Sequence, residues 1–318
     1  MTDKEFYRKL CVSESTIPIF SKDWWLDTVC GDAWDVCLVT KDNKVLAAMP
    51  YHIRKNSLGM TVISQPPETQ TLGPWFGLSQ AKYAKRLGQE KDLLSELINQ
   101  LPNFADFNQS WHFSITNWLP FYWQGFQQST HYTYRLPDLT NLDAVWTGFR
   151  ENIRGDIRKA NNRFKLSVRT DLDVDDFLVL NAKTFDRQGK KLPYSPEFIR
   201  RLDQACQANN ARRIFIAEDE QSNHHAGVYI VWDEQSAYYL MCGGCPTLRS
   251  SGATSLCMWE AIQFSATVTK SFDFEGSMIE PVERFCRAFG AVQTPYFSIR
   301  KTPSRLIRLR RHLSDLLR

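Results

Sequence analysis

Residues 240–254 read Leu240-Met241-Cys242-Gly243-Gly244-Cys245-Pro246-Thr247-Leu248-Arg249-Ser250-Ser251-Gly252-Ala253-Thr254, an apolar run that empties into small residues. The pattern predicts a strand, a tight loop and the start of a helix. Such a turn presents backbone N–H groups at the positive end of a helix dipole, which suits a pyrophosphate. Small side chains let the backbone approach phosphate oxygens closely. Neither Gly-x-Gly-x-x-Gly nor Gly-Lys-Ser/Thr is present, so the loop is neither a Rossmann nor a P-loop cradle. Cys242-x-x-Cys245 has zinc-knuckle spacing, but no second Cys/His pair follows at a suitable distance. Glycines and Pro246 also separate it from the helix start that a redox thiol needs. No metal site is expected. His224-His225 reads as part of an exposed polar hairpin turn, and no Ser/His/Asp arrangement emerges from spacing.

The elements that must position this loop occur twice in the same order, by pattern alone. In the first half, Ile17–Ser21 leads into a helix through Trp25 and Val29, followed by strands at Asp35–Thr40, Val45–Tyr51 and Met60–Ser64. A Pro/Gly-rich loop, Gln65–Pro74, then precedes a helix near Gln89–Gln100 and a strand at Trp111–Thr116. In the second half, Leu192–Ser195 leads into a helix through Phe198, Leu202 and Cys206. Strands at Arg213–Glu218, Ala226–Trp232 and Ala237–Cys242 follow, then the Gly/Ser loop, a helix over Thr254–Phe264 and a strand at Ser271–Phe274. Asn141 or Thr140 caps a connecting helix with Leu142, Val145, Trp146 and Phe149 on one face. Gly155 is expected to break it before Ile157 and Ala160. The expected fold class is α+β (mixed α/β): two lobes, about 1–137 and 138–318, each a mostly antiparallel twisted sheet flanked by helices.

Arg249-x-x-Gly252-x-Thr254 resembles the Gln/Arg-x-x-Gly-x-Gly/Ala loop with which GNAT acyltransferases hold the pyrophosphate of coenzyme A; Thr254 stands where Gly or Ala is usual. Ile153–Ala160 is similar to the basic helix opening the second lobe of Fem-type peptidoglycan-bridge aminoacyltransferases and of tandem acetyltransferases related to cellulose-biosynthesis accessory proteins. Thr184–Gly189 with Pro193-Tyr194-Ser195 resembles the acetyltransferase branch. Phe272–Ser277 followed by Val282–Ala291 looks like the family's strand–Gly–helix ending, with Cys286 at the position of a substrate-binding Lys and Arg287 beside it. The resemblance implies direct attack by an amine or hydroxyl on a thioester or aminoacyl ester. Main-chain N–H groups near Met241 and Cys242 would polarise the carbonyl, and Arg249, Ser250, Ser251, Gly252, Ala253 and Thr254 would seat the donor, acyl-CoA (acetyl-CoA). Asp273 and Glu275 are the candidate proton acceptors, since alternate residues of a strand share a face; the competing reading has both bonded to loop amides or paired with Arg284 or Arg287. Arg154, Arg158, Arg187 and Arg287 are candidate acceptor contacts because guanidinium binds phosphate or carboxylate bidentately. Gln188, Tyr194 and Tyr239 are candidates for lining the cleft, against a plain packing role for the tyrosines. The first lobe is expected to keep no working donor site and to shape the acceptor cleft through Gln65–Pro74. The implied acceptor is a small molecule or a glycan (cell-envelope or polysaccharide) precursor. The rival readings are an aminoacyl-tRNA donor, with tRNA as partner, and an inactive binding module.

Composition fits a folded protein of this kind. The 318 residues are 43% hydrophobic and 23% charged, enough to build two cores. A net charge of +4 is too mild to imply nucleic acid by itself. Eight scattered cysteines read as reduced thiols, and Met1–Phe6 shows no apolar leader, so a cytoplasmic location is expected. Arg300, Lys301, Arg305, Arg308, Arg310, Arg311 and Arg318 face only Asp315. With Leu306, Leu309, Leu313 and Leu316 at helical spacing they predict an amphipathic basic helix. It is expected either to dock by its leucines or to touch anionic lipid, making the protein membrane-associated, or RNA.

Overall fold

The computed structural model describes residues 2–276 and 278–316. Ser277 and Arg318, both cited above, lie outside the described residues, as do the side chains of Asp315 and Leu316. Two compact units form: Met1–His131 with Pro295–Arg318, and Tyr132–Thr294.

The first unit opens with α1 (Asp3–Ser13), closed by a capping box in which Thr2 and Glu5 satisfy each other's N–H groups. α2 (Asp23–Cys30), β1 (Trp34–Lys41), β2 (Lys44–Lys55), β3 (Thr61–Ser64), β4 (Trp75–Phe76), α3 (Tyr83–Gln100), β5 (Asp106–Ser110) and α4 (Leu119–Trp123) follow. The sheet runs β1-β2-β3-β5, with β4 on β2; only β3–β5 is parallel. Alternation along β1 shows how it is covered: Trp34, Val36 and Leu38 pack with Tyr7 and Leu26, while Cys37 and Val39 pack with Leu94 and Leu97 of α3. Both faces are covered, so the strand reads as a nearly unbroken apolar run. The strand expected at Trp111–Thr116 is instead β5, five residues earlier. Trp111 ends the ladder as a buried ring stacked edge-on against Phe121 at 4.7 Å. The segment just ahead of α3 is Gly77–Lys82, because β4 interrupts the Pro-rich loop; Gln65–Pro74 is therefore not the counterpart of 243–252.

β6 (Gln127–Leu136) carries the chain into the second unit, which contains α5 (Leu142–Gly148), α6 (Glu151–Asn162), β7 (Ser167–Arg169), α7 (Val174–Arg187), α8 (Pro196–Ala208), β8 (Arg212–Glu218), β9 (His224–Trp232), β10 (Ser236–Gly244), α9 (Ala253–Val268), β11 (Ser271–Asp273) and α10 (Glu280–Ala288). Its strand order is β6-β11-β10-β9-β8-β7, antiparallel except at β10–β11. Asn141 caps α5 through the Ala144 N–H at 2.9 Å. The helix break falls at Phe149-Arg150 and not at Gly155, which sits inside α6: Phe149 leaves the helix to pack at 5.2 Å from Trp259 and 5.1 Å from Phe289. These rings, with Phe274 at 5.4 Å from Phe289, anchor a core beneath α6 and α9. α7 and α8 cover the other face, where Phe177 meets Tyr229 at 5.7 Å. β12 (Val292–Lys301) returns the chain to the first unit, pairing Ser298–Lys301 with β5, and α11 (Arg305–Leu316) follows. Both units are therefore mixed α/β, with a mostly antiparallel sheet between helices.

His225 does not lie in an exposed turn. β9 begins at His224, and His225 is 3% exposed with Nε2 at 3.1 Å from Asp219. Two hydrogen bonds from Asn223 and the contact with His225 hold Asp219 well below the usual carboxylate range. The carboxylate thus closes the hairpin from inside.

Candidate active site

β10 and β11 run side by side for three residues, Ser236–Tyr238 against Ser271–Asp273, and then part. Immediately after the last pair the register of β10 against β9 slips: Tyr239 faces Ile230 and Met241 faces Tyr229, leaving Leu240 as a bulge. A bulge bends its strand and increases its twist. Beyond it one edge of β10 has no strand neighbour among the described residues. Strand geometry puts the Cys242 and Gly244 peptide groups on this vacated edge and Met241 on the β9 side.

α7 takes part of that edge. The Cys242 carbonyl accepts from Asn181 Nδ2 at 2.7 Å, and the Gly244 N–H donates to Thr184 Oγ1 at 2.9 Å. Asn181, 2% exposed, also accepts from the Tyr194 hydroxyl at 2.9 Å, tying the α7–α8 loop to β10. Gly243 makes this approach workable, since a Cβ there would stand 2.4 Å from the Asn181 backbone nitrogen. The Cys242 N–H lies on the same edge as its carbonyl, at the mouth of the gap. Asn181→Ala should cost about 1–3 kcal/mol, because it strands the Cys242 carbonyl and the Tyr194 hydroxyl together. Urea unfolding measures this, and a change under about 0.5 kcal/mol would remove Asn181 from the account.

The loop after β10 is a 3-10 turn, Pro246–Ser251, ending in Gly252 at φ 84°. α9 then starts at Ala253 with no side-chain cap on Gly252. Ser251 Oγ accepts from the Ala253 N–H at 3.3 Å. Arg249 and Ser250 are exposed, Ser251, Gly252 and Ala253 buried, and Thr254 half-buried. This disposition fits a pyrophosphate: a bare left-handed corner, an exposed guanidinium and the first-turn amides of an 16-residue helix. Packing also demands the glycine. A Cβ on Gly252 would lie 2.2 Å from the Asp156 carbonyl oxygen, so the glycine is required by the closeness of α6 as well as by its φ.

Across the gap the expectation for the two carboxylates changes. β11 stops at Asp273, and Glu275 adopts φ 56°, outside the strand, so the alternation argument does not apply to it. Asp273 is 5% exposed. It accepts from the Thr133 hydroxyl, from the Glu275 N–H at 2.8 Å, and faces Arg135 Nε at 3.6 Å. Burial raises its pKa to about 6, outweighing those three partners. Its structural role is to fix the corner that holds Glu275, which is half-buried. Arg284 and Arg287 pair with Glu280 and Glu283 along α10.

The remaining candidates divide. Arg154 and Arg158 share Glu151 at 2.9 and 2.8 Å on the exposed side of α6. Arg187 and Gln188 are exposed at the end of α7, beside Tyr194, and the Arg187 charge acts on Cys242. Tyr239 is half-buried in the core, where burial and then Cys242 push its hydroxyl pKa up. Arg287 is held by Glu283, which also accepts from Tyr134 at 2.8 Å. Cys286 is fully buried, its thiol pushed up to about 12 by burial and then by Asp273. It cannot act as the Lys it replaces. Sequence reading missed Asn181 and gave Thr184 no role of its own, although Asp173 and Asp176 form a capping box that announces α7. All eight cysteines are free thiols, and no metal-holding cluster occurs among the described residues. A groove of about 1020 Å³ lies in the first unit, walled by Phe76, Leu78, Lys85, Leu93 and Ile115; residues 240–254 do not line it.

Residues 147–277 match the family model described as Acetyltransferase (GNAT) domain. FemX aligns over 93% of this chain and 96% of its own at 13% identity, TM-score 0.66. The C-terminal domain (DUF2156) of a putative lysylphosphatidylglycerol synthetase from Agrobacterium fabrum aligns over 97% and 95% at 12% identity, TM-score 0.56. L-PGS from Bacillus licheniformis aligns over 87% of each chain at 10% identity, TM-score 0.51. The search of curated proteins found no matching relative. Residues 147–277 thus match a GNAT acetyltransferase domain, within a chain whose fold is similar to that of FemX.

Proposed function

We propose that the second unit is an acyltransferase moving an acyl group from acyl-CoA to an amine or hydroxyl of a cell-envelope or polysaccharide precursor. The observation that carries this reading is the parting of β10 from β11 directly ahead of the 249–254 corner. Arg249, Ser250 and the first-turn amides of α9 seat the pyrophosphate. The Cys242 N–H polarises the thioester carbonyl. The acceptor nitrogen or oxygen attacks that carbon, the C–S bond breaks, and the CoA thiolate leaves. Glu275, held by Asp273, takes the acceptor's proton directly or through water. Arg187, Gln188 and Tyr194, at the α7–α8 end of β10, orient the acceptor.

Isothermal titration tests the donor. Wild type should bind CoA, and Arg249→Glu should weaken it by at least about tenfold, since a charge-assisted phosphate contact contributes about 1.5–3 kcal/mol. Melting temperature should not change, because Arg249 is exposed. A second reading, transfer from aminoacyl-tRNA as in Fem-type enzymes, is favoured by the likeness to FemX. It prevails if CoA does not bind and tRNA binds with a steep salt dependence.

A further inference from the structure

Of the two placements expected for α11, the described leucines do not show docking onto the protein. Leu306, Leu309 and Leu313 are 55%, 59% and 54% exposed. The helix is fixed to the first unit by its other face. Arg311 reaches Asp106 of β5 at 2.6 Å and Thr302 at 2.8 Å, and Ile307 is half-buried. Thr302 bonds the second Asp106 oxygen at 2.7 Å, and Ser304 caps the helix through the Ile307 N–H at 3.4 Å. These contacts set the rotation of the helix about its axis. At 3.6 residues per turn the three leucines fall within an arc of about 60°, roughly 150° from the docked face. Arg305 and Arg310 lie about 70° to either side of that stripe. Both are exposed, as is Arg308, and none of the three is in an ion pair among the described residues.

We infer that this face of α11 is a docking surface for an anionic lipid bilayer. An apolar stripe pointing away from the protein and flanked on both sides by guanidinium groups matches the depth profile of a membrane interface: leucines at the acyl boundary, arginines at the phosphates. A second copy of the chain would bring these same arginines face to face, and RNA offers nothing to three leucines. The contact is weak and reversible, because three leucines bury little area and Arg attraction to an anionic surface falls off within a Debye length. It places the acyltransferase beside lipid-borne material and does not depend on which donor the second unit uses.

Cosedimentation of the full-length protein with vesicles tests this. Wild type should partition onto phosphatidylcholine vesicles containing phosphatidylglycerol and much less onto phosphatidylcholine alone, and high salt should release it. Replacing Leu306, Leu309 and Leu313 together by Ser should weaken partitioning at least about tenfold. Arg305→Gln with Arg310→Gln should weaken it about 30-fold, at about 1 kcal/mol per arginine. Since all five side chains are exposed, melting temperature and CoA affinity should match wild type in both variants; that separates a failure here from a failure of the acyl-transfer reading. No partitioning by wild type, partitioning unchanged in the leucine variant, or a leucine-dependent dimer or tRNA complex in its place would each overturn the assignment.

Discussion

Gly252→Ala should destabilise the second unit by about 3–5 kcal/mol and remove CoA binding. Two costs add at this residue. A non-glycine residue at φ 84° loses about 1–2 kcal/mol to the left-handed region. A Cβ placed 2.2 Å from the Asp156 carbonyl forces backbone apart from backbone, which no rotamer change relieves. α6 and the start of α9 must separate, and the first-turn amides lose their placement with them. Urea unfolding followed by CoA titration measures both effects. A stable Gly252→Ala variant with wild-type affinity would show that the α6 contact is not what shapes the corner. Gly252→Asp would confound charge with this clash; Arg249→Glu does not.

Asp273 gives the second large effect, and it separates positioning from catalysis. Its folded pKa of about 6 stands above the ordinary 3.8. Between those values the folded state holds a proton that the unfolded chain has released. Stability from this group is therefore complete below about pH 4 and is lost as pH rises through 6, by on the order of 3 kcal/mol. Asp273→Asn should remove that slope, so that the difference between variant and wild type moves in the variant's favour between pH 4 and pH 7. Asp273→Ala should instead cost about 3–5 kcal/mol at neutral pH, because Arg135, the Thr133 hydroxyl and the Glu275 N–H all lose their shared acceptor. Parallel pH–stability curves for wild type and Asp273→Asn would contradict the burial argument.

What was legible in the sequence was what depends on neighbours along the chain. The small-residue run ahead of Ala253, the alternation in β8 to β10 and the cap at Asn141 each declare themselves within a few residues, and together they yield the two-fold order of elements and the strand–turn–helix corner at 240–254. What was not legible depends on partners far away. Gly252 is constrained by Asp156, 96 positions earlier, and Gly243 by Asn181, so their packing role has no local mark. Phe272–Glu275 alternates as a strand should, yet β11 ends at Asp273, because its carboxylate caps the Glu275 N–H and turns the chain. The Leu240 bulge is hidden in a continuous apolar run. The leucines of α11 have a docking helix's spacing; only the ion pair between Arg311 and Asp106 reveals that they point outward.

Hydrogen exchange with and without acetyl-CoA reports on the backbone amides proposed to hold the donor. Exchange should slow over residues 249–257, at the Arg249–Gly252 turn and the first turn of α9, together with 239–243 around the bulge, with no change in α3 or along the first unit's groove. Protection confined to the first unit, or no protection at saturating acetyl-CoA, would contradict this placement of the donor.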